Sequence, residues 1–175
     1  ANYLSERFGP GREETIGDHP NVEMALVELY RTTGYKRYLD LAAYLLSRLR
    51  LGPTAERPEV EIHELNSMRK IHGHAVRVTY AMCGGTDYYA ETGDSKSWDA
   101  LQSIWQDMVA GKIYITGGIG SRYSGEAFGE TYELPNLLSY AETCAAVGSM
   151  LWNWRMLAVA GDSRYGDLFE RVLYN

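Results

Sequence analysis

Residues 22–49 read VEMALVELYRTTGYKRYLDLAAYLLSRL. Val22, Ala25, Leu26, Leu29 and Tyr30 recur at the i, i+3, i+4, i+7, i+8 spacing that gathers side chains on one stripe of a helix. After Gly34, a second stripe follows in Tyr38, Leu41, Ala42, Leu45, Leu46 and Leu49. Two amphipathic helices with a glycine between them spell a helical hairpin, the glycine ending the first helix. Asp18 or Asn21 is the expected cap at the start, with Pro20 at the entry. The second helix is predicted to stop by Gly52-Pro53, and the charged segment Thr54–Glu61 to be a loop.

The same signature returns twice. Gly34…Asp40, Gly93…Asp99 and Gly161…Asp167 each show Gly-x5-Asp between two helical patterns, with Tyr38, Trp98 and Tyr165 between glycine and aspartate. Around these turns the pattern predicts a long helix from about Ser67 to Glu91, with Ile71, Ala75, Val78 and Met82 on one face. Gly84-Gly85 is expected to bend or interrupt it. A further helix carries Trp98, Leu101, Trp105 and Met108. Lys112–Thr116 reads as a short extended piece, followed by a Gly-rich loop to about Asn136. Leu137–Ala160 is apolar on more than one face and holds the small residues Ala141, Ala145, Ala146, Gly148 and Ser149, so a buried helix is predicted. Asp162–Tyr174 begins the last helix. Repeated hairpins predict an all-α toroid or solenoid. Three units make only part of one, and the expectation is a piece of a larger protein.

At 175 residues the chain can bury one real core. A net charge of -6 argues against a nucleic-acid partner. No apolar run approaches the roughly 20 residues that span a bilayer, so no membrane partner is expected. The opening ANYLSERFGPGREE has no secretory pattern, although a mature secreted protein would look the same. Compartment is therefore left open, the cytoplasm being slightly favoured. Two cysteines, Cys83 and Cys144, make no disulfide framework, and Cys83 reads as a small buried residue. The 14 tyrosines and 4 tryptophans suit a carbohydrate site or ordinary helix packing equally well.

Chemistry concentrates in Ile115–Cys144, ITGGIGSRYSGEAFGETYELPNLLSYAETC, with five glycines and the glutamates Glu126, Glu130, Glu133 and Glu142. Such a run makes a poor core element and a good loop on a rigid scaffold. Glu142 and Cys144 are both zinc ligand types, but two ligands are half of a four-coordinate site. The alternatives are a capping glutamate and a packed cysteine. Glu126, in the stretch Gly125-Glu126-Ala127-Phe128-Gly129 with an aromatic close by, would suit a general acid if shielded from water, and is otherwise a solvated loop residue. His72 and His74, read as lying on a helix, would point to different faces. One could then line an inner face. Gly117-Gly118-Ile119-Gly120 lacks the third spaced glycine and the lysine of nucleotide loops.

Taken together, GDHPNVEMALVELYRTTGYKRYLDLA, HGHAVR, YITGGIGS, GEAFGETYELPN and YAETCA resemble glycoside hydrolase family 127, whose best-known members are β-L-arabinofuranosidases. The resemblance spans essentially the whole chain. It implies part of an (α/α)6-barrel catalytic domain over residues 1–175, with the rest of the barrel and any β-domains absent. It also implies a retaining glycosidase for an L-arabinofuranoside-type carbohydrate, with a zinc ion held by one glutamate and three cysteines, one of them the nucleophile. By motif, Glu142 and Cys144 match the glutamate and first cysteine ligands, Glu126 the general acid/base, and His74 a histidine that contacts the sugar. The two remaining cysteines have no counterpart here, so a zinc half-site and an inactive isolated fragment are expected. A homodimer is compatible with the resemblance.

Two other readings stand beside it. One is an α/α-barrel glycosidase using Glu126 and Glu142 as a carboxylate pair. The other is a helical scaffold that binds carbohydrate or protein without catalysis.

Overall fold

The computed structural model describes residues 1–13, 19–52 and 61–175. Its helices, in chain order, are α1 (Asn2–Arg7), α2 (Val22–Thr33), α3 (Lys36–Leu46), α4 (Ala75–Thr92), α5 (Ser95–Gly111), α6 (Thr143–Ala160) and α7 (Ser163–Tyr174). Two short strands, β1 (Leu49–Arg50) and β2 (Ile62–His63), pair antiparallel in the register Leu49 to His63 and Arg50 to Ile62. The expected cap Asp18 and the segment 54–60 lie outside the described residues. No helix among the described residues is long and apolar enough to cross a membrane.

Glycine ends three helices in the same way. Gly34, Gly93 and Gly161 follow α2, α4 and α6 with φ of 72°, 66° and 65°. This left-handed conformation is cheap only without a Cβ. Each glycine donates its N–H to the carbonyl of Tyr30, Tyr89 or Leu157, at 2.7, 2.8 and 2.8 Å. The next helix starts at once. Asp94 and Asp162 cap α5 and α7, accepting from the N–H groups of Lys96 and Arg164. The sequence reading set the aspartates five residues further on as the turn marker; the capping ones follow the glycine directly. Asn21, the other expected cap, holds the N-cap position of α2 without a side-chain bond.

Three hairpins result, α2/α3, α4/α5 and α6/α7. Their first helices pack side by side in the order α2, α4, α6, and each second helix packs back on its own partner. This is part of an α/α barrel. Helix α4 is the centre of the arc, buried along most of its length. Asp87 on α4 joins all three first helices, at 2.8 Å from Arg155 on α6 and 3.5 Å from Arg31 on α2.

Close backbone approach sets these contacts. A Cβ on Gly148 of α6 would overlap Thr79 Oγ1 of α4, and one on Gly84 would stand 2.7 Å from the Cβ of Glu23 on α2. Gly84-Gly85 therefore does not bend α4, which runs unbroken; the pair lets neighbours in. One core joins α4 to α7 around Met82, Leu101, Ile104, Met108, Trp152 and Met156, and a second joins α1, α2 and α3.

Two predicted helices begin later than expected. Residues 68–74 form a loop rather than the first turns of α4, and residues 137–142 precede α6 outside any helix. In the first loop Ile71 is fully buried. Its N–H donates to Asp107 Oδ2 at 2.9 Å and its carbonyl accepts from Lys112 Nζ at 2.8 Å. Side chains from the end of α5 satisfy that peptide, so a buried non-helical residue carries no unpaired backbone. In the second, Leu137 and Leu138 are 93% and 68% exposed. The extended piece expected at Lys112–Thr116 is instead the first limb of a tight turn, bridged from Ile113 to Ile119.

Candidate active site

Three loops meet where α4 and α6 begin. The loop ending at His74 crosses the segment after Glu126: His74 bridges Ala127, and Phe128 N–H donates to Gly73 O at 3.0 Å. The third segment is tied to the Gly-rich turn, Ala141 N–H donating to Gly120 O at 2.9 Å. Gly120 has φ of 86°, and a Cβ there would stand 2.8 Å from the Tyr140 ring and 3.1 Å from Ala75. The glycine run that superficially suggested a nucleotide loop thus makes room for Tyr140.

His74 is the N-cap of α4, not a helical residue. Its Nδ1 accepts from Val76 N–H at 3.2 Å. Nδ1 is then unprotonated, and Nε2 carries the proton it donates to Glu126 Oε2 at 2.8 Å. Burial pushes the imidazole pKa down, helped by the nearby Arg77 cation, and this favours the same neutral tautomer. His72 points elsewhere, its ring edge-on to His63 with centroids 4.5 Å apart.

Glu126 ends a short 3₁₀ turn, Ser124–Glu126, with the non-glycine φ of 50°. Its side chain is 51% exposed, so the shielding imagined from Phe128 is not what surrounds it. Phe128 itself is buried. What Glu126 does meet is polar: His74 on one side and the Tyr140 hydroxyl, which donates to Oε2 at 3.2 Å.

Tyr140 is the member that sequence reasoning missed. Its hydroxyl reaches Glu126, Glu142 Oε2 and Cys144 Sγ, the last at 3.4 Å. One phenol therefore stands between the carboxyl group and the Glu142–Cys144 pair. Burial, followed by its Cys144 and Glu142 partners, raises the pKa of this hydroxyl and keeps it a donor. The only sequence signal was its place two residues before Glu142.

Glu142 holds the N-cap position of α6 but makes no capping bond. Its Oε2 instead accepts from Cys144 Sγ at 2.7 Å. The proton stays on sulfur: hydrogen bonds from Cys144 and Tyr140 pull the carboxyl pKa down, while burial and then Glu142 push the thiol up. A divalent cation bound here would displace that thiol proton. Carboxylate oxygen and thiol sulfur on one side of a helix start fit half of a tetrahedral zinc set. Among the described residues, no group of three or more His, Cys, Asp or Glu is placed to hold a metal. Cys83 adds nothing to it. It is fully buried, its thiol is pushed up to about 12 by burial, and it faces Gly148 O.

The model of the β-L-arabinofuranosidase catalytic domain of family 127 matches residues 1–175. The chain belongs to glycoside hydrolase family 127. A non-reducing end β-L-arabinofuranosidase of Bifidobacterium longum subsp. longum is 32% identical over 198 residues, covering 100% of this chain and 30% of its own length. A family 127 β-arabinofuranosidase structure superposes with a TM-score of 0.87 at 42% identity, covering 99% of this chain and 28% of its own. A family 127 β-L-arabinofuranosidase from Geobacillus stearothermophilus T6 also gives 0.87, at 32% identity, covering 99% of this chain and 31% of its own. This family 127 chain thus spans about a third of the length of these relatives.

Proposed function

We propose that this chain supplies one wall of the active site of a retaining glycosidase that acts on β-L-arabinofuranosides. The observation that carries the reading is the single cluster formed by His74, Glu126, Tyr140, Glu142 and Cys144, drawn from three separate loops. Family membership and the printed activities of the relatives supply the substrate class.

In this reading Glu126 donates a proton to the leaving oxygen and later takes one from water. His74 holds Glu126 through Nε2–H and offers its ring edge to the sugar. Tyr140 keeps the acid/base carboxyl apart from the Glu142–Cys144 pair while touching both. Glu142 and Cys144 would hold a zinc ion together with two further ligands. Bound there, zinc supplies the positive charge that keeps a ligating cysteine as a nucleophilic thiolate. The attacking thiolate is not assigned to this chain. Cys83 is buried, with its thiol pKa raised to about 12, and Cys144 is taken as a ligand.

A second reading is favoured by one observation: Glu126 and Glu142 share the Tyr140 hydroxyl, as a carboxylate pair would. Cys144→Ser in the full-length gene product separates the two. Zinc content by elemental analysis and hydrolysis of an aryl β-L-arabinofuranoside are measured together. The zinc-thiolate reading expects both to collapse. Retained activity in a zinc-free variant would move the assignment to the carboxylate pair, and a wild-type protein without hydrolysis would leave only the binding scaffold.

A further inference from the structure

Glu126 is displayed in a conformation that its own residue type disfavours. Gly125 and Glu126 are consecutive left-handed residues, with φ of 74° and 50°. Glycine adopts this freely; glutamate adopts it rarely, and it persists only where neighbours impose it. The turn is closed at its base by two bonds between Arg122 and Ala127, N–H to O in both directions, each 3.0 Å. Two backbone bonds of a partly exposed turn are a light restraint.

Inside the turn Glu126 N–H donates to Tyr123 O at 3.2 Å, and just after it Phe128 N–H donates to Gly73 O at 3.0 Å. A further restraint comes from the Arg122 side chain. Nε donates to Glu133 Oε1 and Nη2 to Glu133 Oε2, both at 2.7 Å. This is the bidentate fork that arginine alone can make. Glu133 is itself held. Its Oε2 accepts from Glu130 N–H at 2.8 Å, and its own N–H donates to Glu130 O at 3.0 Å. A Cβ on Gly129 would stand 2.6 Å from Glu133 Cδ, so the backbone beside the carboxylate has no room for a side chain. The residue before it, Tyr132, donates its N–H to Gly111 O at 2.7 Å, which fastens the segment to the end of α5. A continuous path of short bonds therefore runs from the rigid α5 helix through Glu133 and Arg122 to the base of the Glu126 turn.

We propose that Arg122 and Glu133 are a positioning pair that fixes the strained turn presenting Glu126 and so sets the aim of its carboxyl group. The inference rests on the acid/base reading of Glu126. The side chains are 20% and 35% exposed, sheltered enough for geometry to count. Hydrogen bonding from Arg122 also holds the Glu133 carboxyl down to about 2, so the fork stays charged at any working pH.

The test uses leaving-group dependence in the full-length gene product. A misaimed acid harms substrates whose leaving group needs a proton and spares those that depart unaided. Arg122→Lys and Glu133→Gln are compared with Glu126→Gln on phenyl and dinitrophenyl β-L-arabinofuranosides, reading kcat/KM because it reports the first bond-breaking step. The expected result is a loss of about 10- to 100-fold on the phenyl substrate, with the dinitrophenyl substrate within about threefold of wild type. Glu126→Gln shows the same selectivity more strongly. Equal losses on both substrates with a lowered melting temperature, or no loss at all, would sink the positioning role while Glu126→Gln remains selective. A Glu126→Gln variant without selectivity overturns the acid/base reading itself, and the pair's role with it.

Discussion

Replacing His74 removes two interactions made by one ring, and the two can be separated. The first is the cap on α4, Val76 N–H to Nδ1 at 3.2 Å; loss of an N-cap side chain costs about 1 kcal/mol. The second is the 2.8 Å bond from Nε2–H to Glu126. A bond to a carboxyl group is worth roughly 1.5–3 kcal/mol, but Glu126 is 51% exposed, and solvent reduces this to about 1 kcal/mol. His74→Ala should therefore lower folding stability by about 2 kcal/mol. In the full-length gene product, losing that roughly 1 kcal/mol from transition-state positioning should lower kcat/KM about fivefold, since about 1.4 kcal/mol is a factor of ten. His74→Asn is the discriminating variant. Asparagine is a good N-cap, so the first kilocalorie returns, but its amide is too short to reach Glu126. Thermal unfolding should thus recover about half of the loss while kcat/KM on an aryl β-L-arabinofuranoside stays low. Activity that returned together with stability in His74→Asn would refute the reasoning, because His74 would then act only as a cap.

Gly148→Ala should destabilise by about 1–2 kcal/mol, overpacking against Thr79 outweighing the roughly 1 kcal/mol gained by alanine in a helix. Thr79 cannot swing aside, because its hydroxyl donates to Ala75 O and Val76 O within the buried helix. A higher urea midpoint for Gly148→Ala would show that α4 and α6 do not approach as closely as the structure places them. Glu23 is 5% exposed, its Oε2 has no hydrogen-bond partner among the described residues, and burial raises its pKa from 4.5 to about 7. The unfolded chain ionises this carboxyl first, so stability falls as pH rises from 4.5 through about 7. Glu23→Gln should match wild type near the lower limit and exceed it above the upper one, by as much as roughly 3 kcal/mol. Melting temperatures that run parallel across that window would contradict this.

Where sequence reasoning about the fold held, a residue's backbone preference and its packing agreed. Gly34, Gly93 and Gly161 had to end helices, and all three do. It failed where tertiary contacts supply what local structure usually supplies. Ile71 sits on an apparent helical stripe with Ala75 and Val78, yet its peptide is satisfied by Asp107 and Lys112 from a helix far along the chain. A buried loop residue of this kind is indistinguishable from a helical one by periodicity. Leu137 and Leu138 misled in the opposite sense. They are apolar and exposed, and Ala141, at φ of 34°, shows that the backbone there is not yet helical.

The site was legible to the extent that its parts are local in sequence. Glu142 and Cys144 lie two residues apart, so a shared ligand role could be imagined without a fold. Tyr140 could not be picked from 14 tyrosines, because its importance comes from Gly120 and Ala75 making room for its ring. Nor could the bond between His74 and Glu126 be seen, since His74 was drawn inside a helix that in fact starts after it. The fold links these facts. His74 and Glu142 occupy the N-cap positions of α4 and α6, and the separation of those helices is set by Gly148 against Thr79 and by Cys83 against Gly148 O. The small residues of α6 that looked like a packing detail thus determine how far the His74–Glu126 half of the site lies from the Glu142–Cys144 half. Tyr140 spans that gap with a single hydroxyl, so a shift of α6 alters its reach to Glu126. Substitutions at Gly148 should therefore disturb chemistry at the mouth of the site as well as stability in the core, although a side chain there would meet Thr79 and Val76 first.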